Sequence, residues 1–324
     1  MSAVNSGRAR VTAVTVTYQS RRTLPAMLAA ARRAHLAGVL ECVFVDNGST
    51  DGTVELLQQE ASWARVKLLG ENVGFGRGCN AGFAEVTTPY TILINPDAAV
   101  EAEVIMGLAE FLDANPKVGI VGPAVIEGER EELGALQEAG ERGTPMTIVK
   151  MVVPFIRAEN KMRPIVPGSE AFRVGWVCGA VLMTRTNLVR QLGGFDPRFF
   201  LYWEETDLCR RADDSGFETW AVGSVVARHI GGASSVDDGT RVSGCIAEHF
   251  FQSRRYYMIK HHGWLQATAA ELIEVVMLFL RATVDALQGK GWSRMRPRLQ
   301  VRLLSQPPKV RPVHHQPDSR DVTA

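Results

Sequence analysis

The sequence has little to suggest a staple, a leader or a nucleic-acid partner. Its five cysteines, Cys42, Cys79, Cys178, Cys209 and Cys245, are odd in number and far apart, and no two form a CxxC pair. That pattern argues against zinc ribbons and dithiol redox chemistry and fits reduced thiols. The first ten residues, MSAVNSGRAR, contain no apolar core or small-residue cleavage site, so the expected location is inside the cell. With 36 basic and 35 acidic side chains the net charge is +1, which provides no global field for nucleic acid. No GxxxxGK[ST] phosphate loop occurs, and neither an internal repeat nor a low-complexity tract is evident.

What is present is a 324-residue chain that is 46% hydrophobic, enough for a sizeable core. Residues 11–17, VTAVTVT, read as a strand, and residues 24–37 follow as a helix with Pro25 in its first turn. The unit recurs, with a strand over 42–45, a helix over 53–60 and a strand over 66–69. A helix then ends at Glu85, a buried strand covers 90–94, and a helix over 101–115 stops at Pro116. Such alternation predicts a parallel sheet flanked by helices. Residues 127–143 are charged and glycine-punctuated, and 144–170 hold four prolines, which marks an irregular insertion. A strand over 174–184 restores order.

Acids gather where strands end. Asp46 closes the strand in VFVDNGSTDGT and Asp97 follows the strand in LINPDAAV, so both are expected at the carboxyl edge, where ligands enter open sheets. Asp51 reads as a helix cap. The glycines of NVGFGRGCNAGF are spaced GxGxG, which does not match a dinucleotide fingerprint and rules against a dinucleotide-dependent oxidoreductase. They require only that backbone approach something closely, either ligand or a packed strand. A second acidic centre, Glu204-Glu205-Thr206-Asp207, follows the aromatic run FFLYW; crowded carboxylates can acquire the raised pKa of a general base, or they can simply start a solvated helix.

In this order, VTVTYQS, VFVDNGSTDGT, NVGFGRGCNAGF, LINPDAAV, GGFDPRFFLYWEETDLCRR and ARHIGGASS resemble a family 2 glycosyltransferase of GT-A fold, within it the bacterial rhamnosyltransferases, over residues 10–232. The resemblance implies an inverting, metal-dependent sugar transferase with a mixed α/β, Rossmann-like sheet flanked by helices. It implies that Thr17, Tyr18 and Asp46 surround the nucleobase of a nucleotide-diphospho-sugar, dTDP-rhamnose or a UDP-sugar, and that Asn72, Gly74 and Asn80 line the same pocket. Asp97 matches the metal-binding acid of the DxD motif, whose first position is Asn95 here. His229 matches a position that completes coordination of Mg²⁺ or Mn²⁺, or it is a hydrogen-bonded core histidine. Glu205 matches the usual base, with Glu204 as the alternative and Asp207 as the third acid of the cluster. The implied acceptor is a cell-surface glycan or polyprenyl-linked sugar, and the alternative class is a non-catalytic sugar-nucleotide-binding scaffold in polysaccharide assembly.

The expected organisation is a flexible 1–9, a glycosyltransferase domain over 10–240 with a variable insertion at 127–172, a helical 241–290, and a basic, disordered tail over 291–324. Residues 264–288 place Glu271, Glu274, Arg281, Asp285 and Gln288 on one helical face, so the helix is amphipathic. Acids at its centre would each cost roughly 2.5–3.5 kcal/mol in a bilayer, which excludes a span. Such a helix either covers the core or lies on the inner face of the plasma membrane as a peripheral contact. From Lys290 onward eight basic residues face two acids, which suits the second alternative.

Overall fold

In the computed structural model, residues 9–127, 137–153, 162–229 and 242–289 are described. The first half alternates strand and helix: β1 (Val11–Thr17), α1 (Leu24–Leu36), β2 (Leu40–Asp46), α2 (Thr53–Glu60), β3 (Arg65–Leu68), α3 (Phe75–Phe83) and β4 (Tyr90–Ile94). β2, β1 and β4 run parallel, with Thr17 level with Asp46 and Val14 level with Leu93. Every residue of β1 is buried, as expected of a central strand covered on both faces. Its side chains alternate between two cores: Val11 and Ala13 join Leu24, Leu28 and Phe44 on one side, and Val14 and Val16 join Cys79 and Phe83 on the other.

The second half adds β5 (Ala98–Ala99), α4 (Ala102–Ala114), β6 (Val118–Glu127), β7 (Glu138–Ala139), α5 (Pro145–Val152), β8 (Arg163–Pro164), β9 (Phe172–Val174), β10 (Val181–Arg185), α6 (Thr186–Gln191), α7 (Glu204–Asp214) and β11 (Glu218–His229). The sheet order is β3-β2-β1-β4-β10-β6-β11-β5, with β9 also paired to β11. β10 lies antiparallel to both β4 and β6, which makes the sheet mixed. The continuous strand expected over 174–184 is two strands, β9 and β10. Between them, Gly175 sits so close to the Arg142 backbone that a Cβ would lie 2.3 Å from its nitrogen, and Gly179 faces Glu205. The chain therefore leaves the sheet to pass over α7, and β9 joins β11 instead.

α8 (Val242–His262) and α9 (Trp264–Leu287) complete the described chain, meeting at Gly263 with φ +84°. A third small core of Ile148, Phe199, Tyr256, Tyr257, Ala267 and Ala270 joins α5 and these two helices to the loop before α7.

The glycines of α3 serve packing. A Cβ on Gly82 would lie 2.4 Å from Val14 Cγ1, and one on Gly78 would lie 2.8 Å from Val16 Cγ1. Without side chains there, α3 rests directly on β1 and β2.

Candidate active site

The parallel strands bring their carboxyl ends to one rim, and β10 begins at that same rim because Val181 pairs with Ile94. Asp46 is 2% exposed; its Oδ1 accepts from the Thr17 hydroxyl at 3.0 Å, and its Oδ2 accepts from the N–H groups of Gly48 at 3.1 Å and Ser49 at 2.9 Å. The carboxylate thus shapes the turn that follows it, and a nucleobase N–H would add a further donor to a group with about four acceptor positions. Tyr18, 47% exposed, stands at the edge of this turn. Asp51 accepts from the Thr53 N–H at 3.1 Å and the Arg21 N–H at 3.0 Å, which fixes the start of α2 to the loop after β1.

Asn47 locks this turn to the glycine-rich loop. Its side chain accepts from the Val73 N–H at 3.0 Å and donates to Asn72 Oδ1 at 2.9 Å, and Asn72 Oδ1 also accepts from the Gly74 N–H at 3.0 Å. Gly74 has φ +93°, and a Cβ there would lie 2.6 Å from the Phe200 carbonyl oxygen. Asn80 points elsewhere, with both ends of its amide bonded at 2.8 Å to the backbone of Phe195. It staples α3 to the loop ahead of α7, a tertiary bond that the residue's place in a motif does not disclose.

At the end of β4 the Asn95 N–H donates to the Ala180 carbonyl at 2.9 Å. Two residues on, Asp97 is 2% exposed, and its Oδ1 lies 2.9 Å from Nε2 of His229. The pairing of β5 with β11 brings these two together, because Ala98 is level with His229. The pair fits a small divalent cation: ligands at 2.0–2.1 Å in adjacent octahedral positions stand about 3 Å from each other. No group of three or more His, Cys, Asp or Glu side chains that could hold a metal occurs among the described residues, so these two would be only part of a cation's ligand set.

One residue before Ala180, Gly179 faces the Glu205 carboxylate, with a Cβ there 3.7 Å from Glu205 Cδ and Oε1. Asn95 and Glu205 are therefore joined through adjacent residues at the start of β10, and the two acidic centres share the rim. Tyr202 and Trp203 have φ +67° and +71°, a left-handed pair of non-glycine residues immediately before α7. This turn sends Glu204, 3% exposed, toward Gly76 of α3 and Glu205 toward Gly179. Burial, and then the Glu205 charge, push Glu204 well above the usual carboxylate range. Burial also raises Glu205, partly offset by its own N–H and that of Gly179. One oxygen of each carboxyl, Oε2, lacks a hydrogen-bond partner among the described residues. The Tyr202 phenol is raised by burial and then by the charges of the two glutamates.

Asp207 does not join them. It is fully buried and turned toward α8, within 2.7 Å of Arg211 Nε and His261 Nε2 and 2.6 Å of Lys260 Nζ. Burial, its largest influence, would raise Asp207, but His261, Arg211 and Lys260 together bring it below the ordinary range. Lys260 also reaches Asp196 at 2.8 Å, so one ammonium bridges the loop before α7 and α7 itself. The sequence reading missed Lys260, His261, Asp196 and Arg211, since only the folded C-terminal helices bring cations to these acids.

Residues 12–166 match the family model described as glycosyl transferase family 2. An N-acetylglucosaminyl-diphospho-decaprenol L-rhamnosyltransferase of Mycobacterium tuberculosis is 27% identical over 275 residues, covering 78% of this chain and 86% of that protein. Rhamnosyltransferase WbbL of Escherichia coli is 23% identical over 166 residues, covering 48% of this chain and 60% of that protein. Among solved structures, the mannosyltransferase PcManGT of Pyrobaculum calidifontis, in complex with GDP-Man and Mn²⁺, superposes with a TM-score of 0.51 at 17% identity, covering 91% of this chain and 85% of that one.

Proposed function

We propose, from the premise that the chain carries a family 2 glycosyltransferase domain in a GT-A fold, that this protein moves one hexosyl residue from a nucleotide-diphospho-sugar to an acceptor hydroxyl with inversion. The donor to test first is dTDP-rhamnose, with UDP-sugars beside it. The acceptor is a glycan or a polyprenyl diphosphate-linked sugar at the inner membrane face, after the name of the mycobacterial relative. The observation that carries this reading is the Glu204–Glu205 pair, Glu204 buried and Glu205 half-buried, at the rim shared with Asp97 and His229.

Glu205 takes the acceptor proton as the hydroxyl oxygen bonds to the anomeric carbon. The bond from that carbon to the diphosphate oxygen breaks, and the nucleoside diphosphate leaves with the electron pair. Glu204, held close to its neighbour, keeps the pair's proton affinity high. Tyr18, Thr17 and Asp46 receive the base of the donor, while Asn72 and Gly74 shape the adjoining wall. Asp97 and His229, with Asn95 near, would hold Mg²⁺ or Mn²⁺ together with donor phosphate oxygens. A cation bound there would offset the charge gathering on the departing diphosphate.

The test is a donor screen by thermal shift and by product analysis with membrane extracts, run with and without Mn²⁺, on the native protein and on Glu205→Gln. Transfer by the native protein and retained donor binding without transfer in the variant support the reading. Failure to bind any nucleotide-sugar would overturn it. A second reading, a scaffold that binds donor without turning it over, draws on Asn95 in place of an acid; it predicts metal-dependent binding and no product from either protein.

A further inference from the structure

α9 packs with its charged face inward. Glu274 and Glu271, 6% and 4% exposed, are paired with Arg254 and Arg255 of α8, and the Arg254–Glu274 contact is a bidentate fork with one arm at 2.8 Å. The remaining inward positions, Ala267, Thr268, Ala270 and Ala282, are small enough to let the helices approach. The outward face is consequently the apolar one: Leu265, Leu272, Val276, Leu280, Val284 and Leu287 are each between 51% and 85% exposed. Their spacings of seven, four, four, four and three residues keep them on one stripe along a helix of 24 residues, about 36 Å long.

Leucines and valines in a row of this length on an exposed surface mark an interaction site. One further observation points to its partner. The chain beyond α9 carries Lys290, Arg294, Arg296, Arg298, Arg302, Lys309, Arg311 and Arg320 against Asp318 and Asp321, a charge excess complementary to anionic lipid.

We infer that the outward stripe of α9 is the membrane-docking face of this protein and that its partner is an anionic bilayer surface. The ion pairs with α8 are what permit this: they satisfy Glu271 and Glu274 inside the fold, so docking does not draw these two charges into lipid. The inference extends the reading of a lipid-linked acceptor, since a docked α9 would hold the enzyme at the surface where such an acceptor resides. It is read by binding rather than by transfer, so the two can fail separately.

The experiment is co-sedimentation of the full chain with vesicles of phosphatidylcholine alone or mixed with phosphatidylglycerol, for the native protein, for Leu272→Glu/Leu280→Glu and for Leu36→Glu. Leu36, 75% exposed on α1, is a control outside the stripe. The native protein and the control should partition to anionic vesicles, less so at high salt, and the double variant should lose roughly tenfold or more of its affinity. Thermal unfolding and donor-induced thermal shift should match in all three. Failure of the native protein to bind either vesicle would overturn the inference. So would equal binding by the double variant, or a native dimer that the double variant abolishes without any vesicle binding, which would assign the stripe to a second copy.

Discussion

Nε2 of His229 and Oδ1 of Asp97 lie 2.9 Å apart although 132 residues separate them in the chain. β11 ends where β5 begins to pair with it, and that register alone brings imidazole and carboxylate to the same point. Chelation by EDTA should abolish transfer and Mn²⁺ should restore it. Asp97→Asn should weaken the Mn²⁺ dependence of donor binding by at least about tenfold and His229→Gln by somewhat less, both measured as the Mn²⁺ concentration that gives a half-maximal thermal shift in the presence of nucleotide.

Glu205→Gln should lower kcat by roughly 10²–10⁴-fold while leaving the donor dissociation constant within a factor of a few. In the native enzyme the base works ionised, and burial raises its pKa. The acid limb of kcat/KM against pH should therefore lie above the ordinary glutamate range, with activity rising as the proton leaves. A Glu205→Gln enzyme that turned over at the native rate would remove this residue from the role.

Glu204 and Asp207 should affect stability in opposite directions as pH changes. Glu204 binds its proton more tightly folded than unfolded, so its contribution is greatest below the ordinary glutamate pKa and is lost as pH rises through the raised value. Glu204→Gln should therefore gain on the native protein as pH rises from the ordinary glutamate pKa toward the raised value. Asp207 is lowered, so its contribution is present above the ordinary aspartate pKa and is lost as pH falls through the folded value. Asp207→Asn should cost about 3–5 kcal/mol at neutral pH, because it strips a buried group from Arg211, Lys260 and His261. Urea unfolding at several pH values measures both.

Gly82→Ala should destabilise by about 1–3 kcal/mol, since its Cβ would meet Val14 Cγ1 at 2.4 Å with no room to retreat between α3 and β1. Val14→Ala in the same chain should recover part of that loss if the clash is its source. Thermal unfolding of the two single variants and the double variant checks this.

Much of the architecture was legible along the chain. β1, α1, β2, α2, β3 and β4 fall within two residues of their expected spans, because alternating strand and helix signals with clear turn residues between them are local properties. Asp46 and Asp97 could be placed at the rim for the same reason: Asp46 ends β2 and Asp97 follows the end of β4, and the carboxyl ends of parallel strands lie together. The strand expected over 174–184 failed because its apolar run contains Gly175 and Gly179, whose purpose is contact with Arg142 and Glu205 rather than extension.

The sequence by itself determined which residues could do chemistry and, for α9, that its charges would share one face. It could not decide what that face would meet. Periodicity gives the angle between side chains about a helix axis, whereas the direction of the axis depends on a partner elsewhere in the chain. Arg254 and Arg255 turned Glu274 and Glu271 of α9 inward, and Lys260 and His261 took Asp207 out of the acidic cluster that its neighbours occupy. A buried carboxylate goes to the cations that can compensate for its lost water, and only the tertiary structure settles which cations are within reach.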